Sequence, residues 1–262
     1  MKNALLITAL LSSTSVLAHS DHGLSFSNDT CQIEFKNNVA ITPNEVAITT
    51  PNDHALTIDA TGHAFINGEP IDVDAHQQRA LIRYADTLRV ELPKVATMAT
   101  DAIEVAEVAL NEVATTFNLQ GLDNLSMVLD ELSREIQGTF YQQGSFVMGE
   151  QTFHEFSEHF EHQFESRMED AVKSAMFQSI GSLLVTIGSE MTNANGDMSS
   201  FEQRMAQMGQ QIEEKVTAQA ERLEQQATAL CHNFEQIALQ ESTLSQAIPA
   251  VSGYRLMRYS AE

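Results

Sequence analysis

The chain has 262 residues, 36 of them acidic and 14 basic, for a formal net charge of −22. A surface of that sign repels phosphate backbones and anionic lipid headgroups, which excludes nucleic acid as a partner. An apolar fraction of 43% excludes a disordered acidic tail, while five prolines and no tryptophan favour helix and count against an aromatic-lined sugar site.

Met1–Ala18 has the tripartite pattern of a secretory signal peptide: Lys2, an apolar run from Ala4 to Leu11, then Val16-Leu17-Ala18 with small residues at the cleavage positions. No cysteine stands at that cleavage position, so no lipid attachment is expected. The expected product starts at His19 and enters an oxidising compartment, where its two cysteines, Cys31 and Cys231, would form one disulfide closing nearly the whole chain. A free α-amino group and the His19 ring could chelate copper, with His22 completing the set. The plainer reading of residues 19–30 is a flexible tail.

From Cys31 to about residue 73 the pattern has period two and turn punctuation. Gln32–Phe35 and Glu45–Thr49 alternate, Ala55–Asp59 and His63–Ile66 flank a turn at Ala60-Thr61-Gly62, and Asn67-Gly68 is a two-residue hairpin signal. Four or five short strands in a meander are predicted. So small a patch needs further elements to pack on.

Helical periodicity begins at Asp74, an N-cap, and runs through Leu81, Tyr84, Ala85, Leu88 and Leu92 until Pro93 interrupts it. It resumes through Val95, Met98, Ala102, Ala106, Leu110, Val113 and Phe117 and stops at Leu119-Gln120-Gly121. A further helix is expected from about Leu122 to Phe140, broken at Gln143-Gly144-Ser145. Another runs from Glu150 to about Ile187. Within it Ala175–Gly188 is strongly apolar, yet it is only about half to two-thirds of a bilayer's thickness and is interrupted by Gln178 and Gly181. A buried helix is predicted there, and no membrane-spanning segment in the exported product.

Ser200 and Gln203 look like a capping box opening the last helix. Its apolar stripe, Val216, Ala220, Leu223, Ala227, Leu230, Phe234 and Ile237, steps by four and three, as in a helix packed along a partner. Pro249 ends it, allowing a helix on the order of 70 Å at 1.5 Å per residue. The predicted organisation is a signal peptide (1–18), a tail (19–30), a β-meander (31–73) forming one domain with a helical region (74–249), and a C-terminal tail (250–262). The fold class is α+β, predominantly α. Packing within one chain is favoured over dimerisation, because helices joined by short loops pack as neighbours.

A signal peptide, an early cysteine, short strands ending in Phe65-Ile66-Asn67-Gly68, a polar helix leading to Glu91-Leu92-Pro93, and a second cysteine in the last helix together resemble the YggN-like proteins. These are uncharacterised periplasmic proteins of γ-proteobacteria. The resemblance is most specific over about Cys31–Phe117. It implies a periplasmic address and an α+β shape, and brings no activity and no site residues.

The sharpest chemical signal is Phe153–Glu165. On a helix, Phe153, Phe156, Phe160 and Phe164 share one face, and His154, Glu158, His162 and Glu165 the opposite one, with Glu155 and His159 alongside. Imidazoles and carboxylates one turn apart chelate Zn²⁺ or another divalent transition metal, so His154, Glu158, His159 and His162 form a candidate metal set. The spacing is not that of a zinc protease, since His159 lies five residues after His154 where the motif needs four. The competing reading is a solvated polar face. Asn193–Asp197 is a turn sooner than a calcium loop, because Gly196 sits fourth where such a loop needs it sixth and Arg204 stands at the twelfth position in place of glutamate.

No Gly-x-Ser-x-Gly elbow, Ser-x-x-Lys pair or phosphate-cradling glycine loop occurs, so no catalytic residue can be named. Methionines near the start of the last helix suit either core packing or a client-binding groove. The expectation is a non-enzymatic periplasmic interaction protein, chaperone-like or an adaptor, with its protein partner unidentified and no cofactor. The alternative is a metal-binding or metal-buffering protein using the His/Glu-rich helix. An unrecognised hydrolase ranks third.

Overall fold

The computed structural model describes residues 24–28, 31–117, 122–149, 152–154, 156, 164–193 and 199–259; at some of these only the backbone is described. They divide between two compact units, one within Met1–Leu88 and Cys231–Glu262, the other within Arg89–Leu230.

The first unit carries a sheet of β1 (Leu24–Asn28), β2 (Cys31–Phe35) and β10 (Met257–Tyr259), with β2 in the middle and both pairings antiparallel. Strand β1 lies before Cys31, where no strand was expected, although Leu24 and Phe26 alternate with serines. The meander follows as β3 (Asn38–Ile41), β4 (Glu45–Thr49), β5 (Ala55–Asp59), β6 (Ala64–Ile66) and β7 (Glu69–Pro70), each antiparallel to the next. With β2 this makes six strands in a stretch predicted to hold four or five.

Alternation decides what these strands bury. Val39, Ile41, Val46, Ile48, Leu56 and Ile58 all turn to the interior, and cross-strand pairs such as Val39 with Ile48 put like against like. The β6–β7 hairpin turns on Asn67 and Gly68, both at positive φ (51° and 83°), the type I′ geometry that matches strand twist. Gly62 has φ 82°, and a Cβ there would come within 2.7 Å of the Gln78 carbonyl oxygen and Ile82 Cγ1. Only glycine lets the β5–β6 turn sit this close to the following helix.

That helix, α1 (Ala75–Glu91), is capped as predicted. Asp74 Oδ1 accepts from the amides of His76 (2.7 Å) and Gln77 (2.9 Å), while Gln77 Oε1 accepts from the Asp74 amide at 2.8 Å. Leu81, Tyr84, Ala85 and Leu88 are its buried face. The C-terminal portion of the last helix closes the unit with Phe234, Ile237 and Leu244. Phe234 meets Phe35 edge to face at 5.7 Å.

In the second unit, Pro93 separates α1 from α2 (Lys94–Phe117), and α3 (Asp123–Phe140) follows. A hairpin of β8 (Tyr141–Gln142) and β9 (Ser145–Met148) then turns on Gln143 (φ 51°) and Gly144 (φ 83°). The sequence marks a break at this point, and the two strands around it are an addition. Helix α4 (Glu165–Asn193) packs on α3 and α2. The last helix, α5 (Ser199–Ala247), has 49 residues, stops before Pro249 as expected, and passes through both units. Its seam residues in the second unit, Val216, Ala220, Leu223 and Ala227, are half-buried, while Leu230, Phe234 and Ile237 are buried. Among the described residues no helix is long and apolar enough to cross a membrane.

Candidate interaction surface

Helix α4 overturns one expectation. Among its described side chains Ala175–Gly188 is largely exposed where a buried helix was expected: Met176 is 65% exposed, Phe177 77%, Ile180 52% and Leu184 65%. Among the described side chains of α4 the buried ones are Ala171, Ala175 and Ser179, one turn apart. Small side chains on the covered face suit close helix packing, and the large described ones lie on the other side. Asn124 of α3 reaches Ser174 Oγ at 3.5 Å, and Arg167 pairs with Glu131, both joining α3 to α4.

The outward residues form one surface. At about 100° per residue, Val172, Met176, Phe177, Ile180 and Leu184 spread over about 140° of the helix and about 18 Å of its length. No residue between Lys173 and Glu190 is charged. Isolated exposed apolar residues are ordinary, but a contiguous set headed by a phenylalanine is the kind of patch that soluble surfaces keep for recognition.

The unit that carries the patch is strongly acidic. Residues Arg89–Leu230 contain 23 acidic and 8 basic side chains, a net −15 of the chain's −22. The two cations of α4 itself are engaged: Lys173 Nζ lies 2.6 Å from Glu169 Oε1, and Arg167 is held by Glu131. The hydrogen bond with Glu169 holds the Lys173 ammonium above its ordinary range, and the same bond holds Glu169 below its own.

The proposed metal set is not assembled among the described residues. His154 is exposed on a helical turn, while Glu158, His159 and His162 lie outside the described residues, as do His19 and His22. No group of three or more His, Cys, Asp or Glu side chains placed to hold a metal occurs among the described residues. Of the phenylalanine face, Phe153, Phe156 and Phe164 are half-buried and Phe160 is outside the described residues. Phe153 meets Phe140 at 5.3 Å, and Phe140 stacks on Phe146 at 6.0 Å. Cys231 is buried on α5, no free cysteine occurs among the described residues, and the Cys31 side chain lies outside them.

A second feature escaped sequence reading altogether. Glu241 on α5 is 2% exposed, although its flanking sequence reads like an ordinary polar helix turn. Its only local signal is its place four residues after Ile237 and seven after Phe234, on the stripe facing inward. Over residues 31–257 the chain matches a family described as Protein of unknown function (DUF2884). No curated protein and no solved structure matches it.

Proposed function

The chain belongs to this family of unknown function, and from that premise we propose a non-enzymatic interaction protein whose α4 face binds an apolar polypeptide segment with basic flanks. The observation that carries this is the outward set Met176, Phe177, Ile180 and Leu184 on an uncharged stretch within a strongly acidic unit. Charge selects the occupant. A second copy would bring another net −15 against the first, and an anionic lipid surface would be repelled for the same reason. A cationic amphipathic segment gains on both counts, with apolar anchors on the patch and basic residues against the acidic surround.

The same proposal places the protein in the periplasm, among YggN-like proteins, with a disulfide between Cys31 and Cys231. Supporting it are the signal-peptide pattern of Met1–Ala18 and the lone cysteine pair. Position also favours the bridge: Cys31 precedes Ile33 and Phe35 at the same strand parity, and Cys231 precedes Phe234 by one helical turn. Intact mass of material recovered from the periplasm should show loss of residues 1–18 and of two cysteine hydrogens. Retention of the leader or two free thiols would refute this placement.

Binding is tested with a fluorescent amphipathic Leu/Lys peptide and its Leu/Glu counterpart. The full chain should bind the first and not the second, and Phe177→Ser with Leu184→Ser should weaken binding by at least about tenfold, as loss of two apolar anchors implies. Equal affinity for both peptides, or affinity unchanged in the double variant, overturns the reading. So does a patch-dependent homodimer in light scattering.

A further inference from the structure

Glu241 is surrounded by donors. Tyr84 Oη of α1 donates to Oε1, the Leu256 amide donates to Oε1 at 2.7 Å, and the Met257 amide donates to Oε2 at 3.2 Å. Tyr84, Leu256 and Met257 are each 2% exposed or less. One carboxylate thus joins α1, α5 and the start of β10 inside the first unit. The titratable and charged groups that act on it are Tyr84 from α1 and Arg255 from the segment leading into β10.

Two demands conflict here. Three donors and no acceptor suit an ionised carboxylate. Burial opposes the charge, because enclosure by Tyr84, Leu256 and Met257 keeps the carboxylate from bulk solvent. A proton on the carboxyl relieves the second demand at the expense of one donor, and the 3.2 Å contact to Met257 is the longest of the three. Releasing the C-terminal segment relieves it differently, by admitting water.

We infer that Glu241 is a proton-operated clasp on residues 255–259: uptake of a proton holds the segment against α1 and α5, and loss of that proton lets it go. What would be released is well defined. The Lys36 amide donates to the Leu256 carbonyl at 2.8 Å, Asn37 Nδ2 donates to the Arg255 carbonyl at 2.7 Å, and Arg258 reaches Glu34 at 2.8 Å. Opening would therefore bare the edge of β2 that β10 covers.

The direction follows from proton affinity. Burial pushes the Glu241 carboxyl up to about 7, against the opposing pull of its bonds to Tyr84, Leu256 and Met257 and of the Arg255 charge. Released into water, the carboxyl returns to the ordinary range near 4.5. The closed form therefore binds the proton more tightly. Closure is favoured most below the released value and is lost as pH rises through about 7.

Hydrogen exchange of the full chain, read by mass spectrometry on peptides covering 250–259 and corrected for intrinsic rates, tests this. Relative to meander peptides, wild-type protection of 250–259 should fall about tenfold or more between pH 5.5 and pH 8.5. Glu241→Gln, which keeps an acceptor but cannot ionise, should show no such fall. Tyr84→Phe removes a donor that favours the charged form, so its midpoint should move to higher pH. Protection independent of pH in the wild type, or the same fall in Glu241→Gln, overturns the clasp. Should Glu241→Gln fail to fold, an unmoved midpoint in Tyr84→Phe overturns it alone.

Discussion

Helices α1 and α4 make opposite use of their apolar residues. In the sheet-bearing unit, α1 turns Leu81, Tyr84 and Leu88 inward, and the strand residues Ile48, Leu56 and Ile58 are buried in the same unit. In the helical unit, α4 turns Ala171, Ala175 and Ser179 inward and leaves Met176, Phe177, Ile180 and Leu184 in solvent. Among the described side chains, α1 follows the rule that the large apolar face is the buried one and α4 does not. What covers each helix differs: α4 meets other helices through small side chains, while α1 belongs to the unit that carries the strands.

The largest effect that would break this contrast is expected in the first unit. Phe234→Ala removes the ring that meets Phe35 and should cost about 3–5 kcal/mol in chemical denaturation, since its site is closed on all sides. A loss under about 1 kcal/mol would mean that this core collapses freely around the gap. Ala175→Leu should come next, at about 1–3 kcal/mol, because the added carbons have to push α4 off its neighbours. A neutral Ala175→Leu would show that the small inward face is not a close contact. The smallest effect belongs to Phe177→Ala, expected within about 0.5 kcal/mol of wild type. Should that variant lose as much as Phe234→Ala, the outward face of α4 is a core and the proposed binding surface does not exist.

Much of the architecture could be read in advance because its signals are local. Alternation in Glu45–Thr49, the positive-φ pair Asn67-Gly68, the Asp74 cap and the break at Pro93 each act within a few residues, so the chain itself specifies them. The long final helix belongs with them: uninterrupted periodicity runs until Pro249, and α5 stops at Ala247. The β8–β9 hairpin was legible only as a break, because Gln143 is an unusual occupant of a left-handed position that Asn or Gly normally signals.

Two decisions were left to the assembled fold. Apolar content in Ala175–Gly188 announces a helix that must meet something, yet which side is covered depends on how near α2 and α3 come, and no window of sequence carries a distance. Glu241 is the sharper case. A glutamate between Gln240 and Ser242 would ordinarily be solvated, but Tyr84, 157 residues away, and Leu256 enclose it. Periodicity, caps and turns are properties of neighbours in the chain, and they set the elements. Burial of a charge and exposure of a phenylalanine are properties of neighbours in space, where chain separation carries no information.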